Sequence, residues 1–188
     1  LHMGRPSISE QRRMEIGRAL QACMVRNGSY EATSVKDIAQ EAGIATGLIH
    51  HYFTNKDEIL QLMADSVLLE LSNQLEELLH TRQGAARKEL LHKLLSDEKQ
   101  NRFVLILYPL ALSMPEIRQL ILVRRRELEE TLIGRLRRSA TFTGNPEVTA
   151  YYITFLLENA VAQSSLESSP HLETLLNEAL ESAFPPKE

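Results

Sequence analysis

The chain has 188 residues, 43% of them hydrophobic and 24% charged, with a formal net charge of −4 at pH 7. This is ordinary globular composition for one to two small domains and excludes a disordered chain. The longest apolar runs, such as Phe103 to Leu107, are far shorter than the roughly 20 residues a membrane span needs, and no secretory apolar region precedes the first helical pattern, so a soluble cytoplasmic protein with no membrane partner is expected.

In chain order, the first helical pattern covers 9–26, with Ile16, Ala19, Leu20 and Cys23 on its apolar side. Leu1 and His2 precede Met3 and are expected to be cloning remnants. Cys23 is the only cysteine, which excludes an intramolecular disulfide and a cysteine-based metal cluster; its place on the apolar side favours packing over redox sensing. Arg5, Arg12, Arg13 and Arg18 gather in the arm and first helix, where they can meet phosphates or form an ordinary solvated face. The acidic total is unevenly shared: residues 1–53 carry a net +1 and the remainder −5.

Residues 33–60, TSVKDIAQEAGIATGLIHHYFTNKDEIL, hold two short helical patterns around one glycine, with a third following at once. That is the layout of a helix-turn-helix DNA reader. Ser34 can cap the helix over 34–41, with Asp37 at the reciprocal position where Glu or Gln is usual. Val35, Ile38, Ala39 and Ala42 face one way, and small Ala39 lets a second helix cross closely. Gly43 suits the sharp turn, since it accepts positive φ without a Cβ penalty. In the helix over 45–51, Leu48 and Ile49, with Tyr52 just beyond it, can anchor the inner side, leaving Ala45, Thr46, Gly47, His50 and His51 outward. Such a low, polar face fits a major groove about 12 Å wide. The plainer alternative is a capped hairpin that only packs.

The stretch resembles the N-terminal domain of the TetR family of bacterial transcriptional repressors, through Ile38-Ala39, Ala42-Gly43, Gly47, Tyr52-Phe53 and Lys56. The resemblance covers the whole reader. It implies phosphate contacts from Thr33 or Ser34, base or backbone contacts from Thr46, Gly47 and Leu48, and a phosphate contact from Lys56. Ala45, His50 and His51 complete the expected DNA-binding set. His50 stands where the family usually has a backbone-touching tyrosine: it either exchanges one donor for another, or gains charge on protonation and binds more tightly as pH falls.

Everything after Phe53 reads as helix, over 56–81, 85–96, 98–112, 115–139, 146–168 and 171–183. The fold expected is all-α: an N-terminal three-helix helix-turn-helix domain, 4–55, and a C-terminal helical ligand-binding and dimerisation domain, 56–188. From Lys56, the residues Ile59, Met63, Val67, Leu71 and Leu75 form a continuous apolar stripe able to connect the two. The region 85–139, with part of the helix over 146–168, is the candidate effector region, with Phe103, Leu107, Tyr108 and Met114 as lining and Arg125 and Asn159 as polar groups. Each has a plain alternative: core filling, an Arg125–Glu129 pair one turn apart, or an Asn159 bond across a dimer. The helix over 146–168 has two apolar sides, Val148, Tyr152, Phe155 and Leu166 against Ile153, Leu157 and Val161. The last helix adds Leu172, Leu175, Leu176, Ala179, Leu180 and Ala183. Pairing of these two with a second copy would make a four-helix interface through Tyr152, Phe155, Leu172, Leu176 and Leu180, as the resemblance also implies.

No H-E-x-x-H pair, glycine-rich phosphate loop or G-x-S-x-G elbow is present, so no catalytic residue, metal or cofactor is expected. Together with the resemblance, the sequence implies a homodimeric repressor of bacterial transcription, nucleoid-associated when bound to operator DNA of approximate two-fold symmetry and released by an unidentified small molecule. Two rivals are weaker. An enzyme using Tyr108, His92 and Arg125 has no supporting spacing, and a nonspecific DNA-packaging protein would need a more basic reader.

Overall fold

The computed structural model describes residues 7–81, 84–166 and 170–184, all-α and without strands among them. The helices are α1 (Ile8–Asn27), α2 (Val35–Glu41), α3 (Thr46–Tyr52), α4 (Lys56–His80), α5 (Ala85–Ser96), α6 (Glu98–Ser113), α7 (Pro115–Arg138), α8 (Pro146–Ser164) and α9 (Pro170–Ala183). Their starts follow local chemistry. Ser7 and Glu10 form a reciprocal capping box on α1, Asn55, Asp97 and Asn145 cap α4, α6 and α8 through their side chains, and Pro115 and Pro146 occupy first-turn positions where a missing N–H costs nothing. No helix among the described residues is long and apolar enough to cross a membrane.

A continuous buried cluster runs from Ile16 in α1 to Ala183 in α9. Its spine is α4: Ile59, Met63, Val67, Leu71 and Leu75 are all buried as their spacing requires, joined by Leu60, Ala64, Leu68, Leu78 and Leu79. The second row gives α4 apolar cover on more than one side, so α1, α5, α6 and α7 all pack on it. With 25 residues, α4 is about 37 Å long at the standard rise. Gly17 allows α1 to lie close: a Cβ there would meet the Met63 sulfur at 3.3 Å. Cys23 is fully buried, and burial raises the pKa of its thiol, consistent with packing rather than reactivity.

One boundary differs from the sequence reading by more than a residue. Helix α8 ends at Ser164, four residues early, with Ser165 and Leu166 in a turn. Helix α6 runs through Pro109, whose absent N–H leaves one rung of the ladder unmade.

Candidate nucleic-acid interface

Ser34 Oγ accepts from the Asp37 amide at 3.1 Å and Asp37 Oδ2 accepts from the Ser34 amide at 2.8 Å, so aspartate closes the box on α2. The Ser34 hydroxyl, donating to Asp37 Oδ2 at 2.6 Å, and after it the Ser34 amide hold the Asp37 carboxyl below the usual range. Helix α2 ends at Glu41 with Ala42 as its C-cap, and Gly43 then adopts φ 66°, the left-handed conformation its position called for. The Ile44 amide bonds back to the Ala39 carbonyl at 3.0 Å, turning the chain into α3.

On α3 only Ile49 is fully buried; Tyr52 is half-buried, and Ala45, Thr46, Gly47, Leu48, His50 and His51 are exposed. Leu48 lies outward at 40% exposure, not on the anchoring side. Packing beneath falls to Ile38, Ala39, Ile49 and Phe53. The outward set therefore forms one short surface with little bulk, bounded by the imidazoles at the last turn.

Thr33 and Lys56 are placed differently. Thr33 is 0% exposed; its hydroxyl donates to the Ser29 carbonyl at 3.0 Å and accepts from Asn27 Nδ2 at 3.4 Å. Its side chain is thus closed to a phosphate, while neighbouring Ser34 is exposed. Lys56 Nζ donates to the Tyr30 carbonyl at 2.9 Å and the Thr33 carbonyl at 2.8 Å, and lies 3.8 Å from the Tyr30 ring centre. Burial lowers its pKa.

Around this lysine the start of α4 forms a hub that sequence spacing did not reveal. Tyr30 donates its phenol proton to Asp57. Arg13 reaches from α1 to donate to the Tyr52 carbonyl and to Glu58 Oε1, the latter at 2.9 Å, with its guanidinium 4.1 Å from the Phe53 ring centre. Glu58 also accepts from the Thr54 amide at 2.8 Å; that bond first, and Arg13 second, hold its carboxyl below the ordinary range. Arg13 is therefore an internal clamp on the end of α3. Arg12 pairs with Glu15 and Arg26 with Glu41, while Arg18 is exposed and Arg5 lies outside the described residues.

The expected effector residues differ in burial. Phe103 and Leu107 are fully buried in the core, Tyr108 is 38% exposed, and Met114 caps the end of α6. Arg125 pairs with Glu129 at 3.0 Å and Glu158 at 3.4 Å and faces the Tyr151 ring, which realises its plain alternative. Burial, with the Glu158 charge adding to it, pushes the Tyr108 hydroxyl up to about 12. Asn159 is exposed and donates to the Phe155 carbonyl at 2.7 Å.

The two sides of α8 separate as its pattern required: Ile153, Leu157 and Val161 are buried, while Val148, Tyr152 and Phe155 are 65%, 55% and 47% exposed, and Leu166, in the turn beyond the helix, is 76% exposed. Asn159 shares the open side. On α9, Leu175 is 50% exposed and Leu172 half-buried. Leu176 and Leu180 correct the expected interface set: each is 1% exposed within a single chain, because α5 and α8 already cover that side of α9.

Residues 24–63 match the family described as bacterial regulatory proteins, tetR family. The HTH-type transcriptional regulator HbdR of Aromatoleum sp. (strain CIB) is 39% identical over 79 residues, covering 40% of this chain and 34% of that protein. The HTH-type transcriptional regulator BetI of Klebsiella pneumoniae (strain 342) is 25% identical over 165 residues, covering 84% of this chain and 83% of that protein. The first three curated relatives are matched over only 34%, 33% and 30% of their own length. A crystal structure of a transcriptional regulator from Rhodococcus sp. Rha1 superposes with a TM-score of 0.76 at 18% identity, over 92% of this chain and 95% of that one, a likeness of fold.

Proposed function

We propose, from the match of residues 24–63 to the tetR family of bacterial regulatory proteins, that the chain is a homodimeric transcriptional repressor whose grip on operator DNA is released by a small molecule. The observation that carries this reading is the outward surface of α3, where Ala45, Thr46, Gly47, Leu48, His50 and His51 are all exposed while Ile49 and Phe53 hold the helix from beneath. Exposed residues of this size can approach base edges, and the Lys56, Tyr30 and Arg13 clamps fix the helix before DNA arrives, which reduces the ordering cost of binding. Activity is then binding, not catalysis.

Residues 4–55 serve as the reader and 56–188 as the effector and dimer unit in this proposal. The open side of α8, continued by Leu172 and Leu175 of α9, is the dimer surface, since an exposed apolar face of this extent on one chain marks an interaction site. Two readers related by a two-fold axis meet half-sites about one helical turn, or a multiple, apart. Helix α4 begins with Lys56 at the reader and is packed by α5, α6 and α7, so a ligand among those helices that shifts α4 changes the spacing of the readers. The extent of release is limited by the ligand's differential affinity for the two conformations.

The test is a binding titration of the full chain against DNA containing the operator and against random duplex, over a salt series. A preference for operator by a factor of roughly 10³ or more is expected of a specific regulator; equal affinity for both would sink the reading.

A further inference from the structure

Where the end of α4, the start of α5 and the ends of α7 and α9 meet, one guanidinium group is buried and a second half-buried, neither with an ion-pair partner among the described residues. Arg87, on the first turn of α5, is 3% exposed. Its Nη2 donates to the Thr81 carbonyl at 2.8 Å, but its Nε and Nη1 are buried with no hydrogen-bond partner. Arg135, in the last turn of α7, lies with its guanidinium 5.0 Å from the Phe184 ring centre, and its Nη1 is likewise buried and unpartnered. No carboxylate lies within 4 Å of either guanidinium among the described residues. Glu181, whose charge acts on Arg87 from farther away, accepts instead from Asn177 at 2.8 Å.

The arrangement is unfavourable as it stands. Arginine cannot shed its proton to escape burial as lysine can, and a buried charge lacking a partner is among the costliest features a fold can hold. The two guanidinium groups are also close enough for Arg87 to act on Arg135: burial first, then the Arg87 and Arg138 charges, lower the Arg135 pKa. Three orphaned donors on two adjacent cations match the acceptor pattern of a planar or tetrahedral oxyanion, which takes parallel hydrogen bonds from guanidinium. Water would satisfy the donors but add no negative charge to that of the more distant Glu181.

We propose that Arg87 and Arg135 form a binding site for an oxyanion, the carboxylate or phosphate group of a small molecule, which joins the start of α5 to the ends of α7 and α9. The site is separate from the DNA reader and from the Phe103, Leu107 and Tyr108 region.

Thermal unfolding of the full chain in increasing sodium phosphate or sodium succinate, with sodium chloride holding ionic strength constant, tests the site. At ten times the dissociation constant the midpoint should rise by roughly 3 °C or more for a chain of this size. A rise with phosphate alone assigns a phosphoryl ligand, and a rise with succinate alone a carboxylate; either supports the site. Arg135→Gln and Arg87→Met should each abolish the rise, and because Arg135 is less buried its variant reads the outcome even if Arg87→Met does not fold. An unchanged wild-type midpoint in both salts, or a full rise retained by Arg135→Gln, would overturn the proposal.

Discussion

Thr46 is exposed on α3, whereas Lys56 uses two of its three donors on the Tyr30 and Thr33 carbonyls. The difference separates reading from positioning. Thr46→Ala removes a hydroxyl at the surface and should alter sequence preference by up to about 1–3 kcal/mol at one base pair, leaving the melting temperature nearly unchanged; competition binding against single-base operator variants measures it. Lys56→Ala leaves two carbonyls without their donor, so stability should fall by about 1–3 kcal/mol and affinity should weaken on every sequence. The salt slope should hold nearly constant, because a loss of about 0.9 unit would mark a direct phosphate contact instead. The importance of Lys56 was legible from its place in the motif, but its partners, 26 and 23 residues upstream, were not. Spacing along one helix reports which side a residue occupies; it says nothing of which loop folds over that side.

At the scale of elements, caps and breakers carried most of the information. Ser34 with Asp37 and Gly43 act through backbone geometry within a few residues and were readable locally; Asn55 and the prolines at 115 and 146 act in the same way at starts that the sequence reading placed without naming them. The inner residues of α3 were less so: Leu48 was expected inward and lies outward, since one turn of helix offers several candidates and the packing of α1 and α2 chooses among them. Gly43→Ala forces a Cβ into the left-handed region and should destabilise the turn by about 1–2 kcal/mol, lowering operator affinity as α3 loses its fixed angle; denaturant unfolding gives the first quantity. The start of α4 is pH-sensitive through Glu58, whose folded pKa lies below its unfolded value. Its contribution is present above the unfolded pKa, near the ordinary 4.5, and is lost as pH falls through the lower folded value. Melting temperature between pH 3 and 6 should therefore fall on the acid side, and Glu58→Gln should flatten that fall; an identical profile for the two proteins would remove Glu58 from the clamp.

For the whole molecule, the question is which apolar surface is spent inside one chain and which is left for a second. Helical periodicity put Tyr152, Phe155, Leu176 and Leu180 in one class, because each completes an apolar stripe. The fold divides them: Tyr152 and Phe155 are 55% and 47% exposed, while Leu176 and Leu180 are covered by the chain's own α5 and α8. Two substitutions of the same chemistry should then fail differently. Phe155→Asp places a carboxylate at a surface that is open in the single chain, so it should give a folded, helical monomer with weakened operator binding, since each half-site is then held by a reader no longer tied to its mate. Leu176→Asp buries an unpaired carboxylate and removes a packed side chain, a change that typically costs several kcal/mol, and should yield unfolded or insoluble protein. Sedimentation and circular dichroism of both variants at micromolar concentration decide the matter. A Phe155→Asp protein that remains dimeric would mean that another surface joins the two chains, and a folded Leu176→Asp monomer would mean that α9 turns its buried side toward a partner after all.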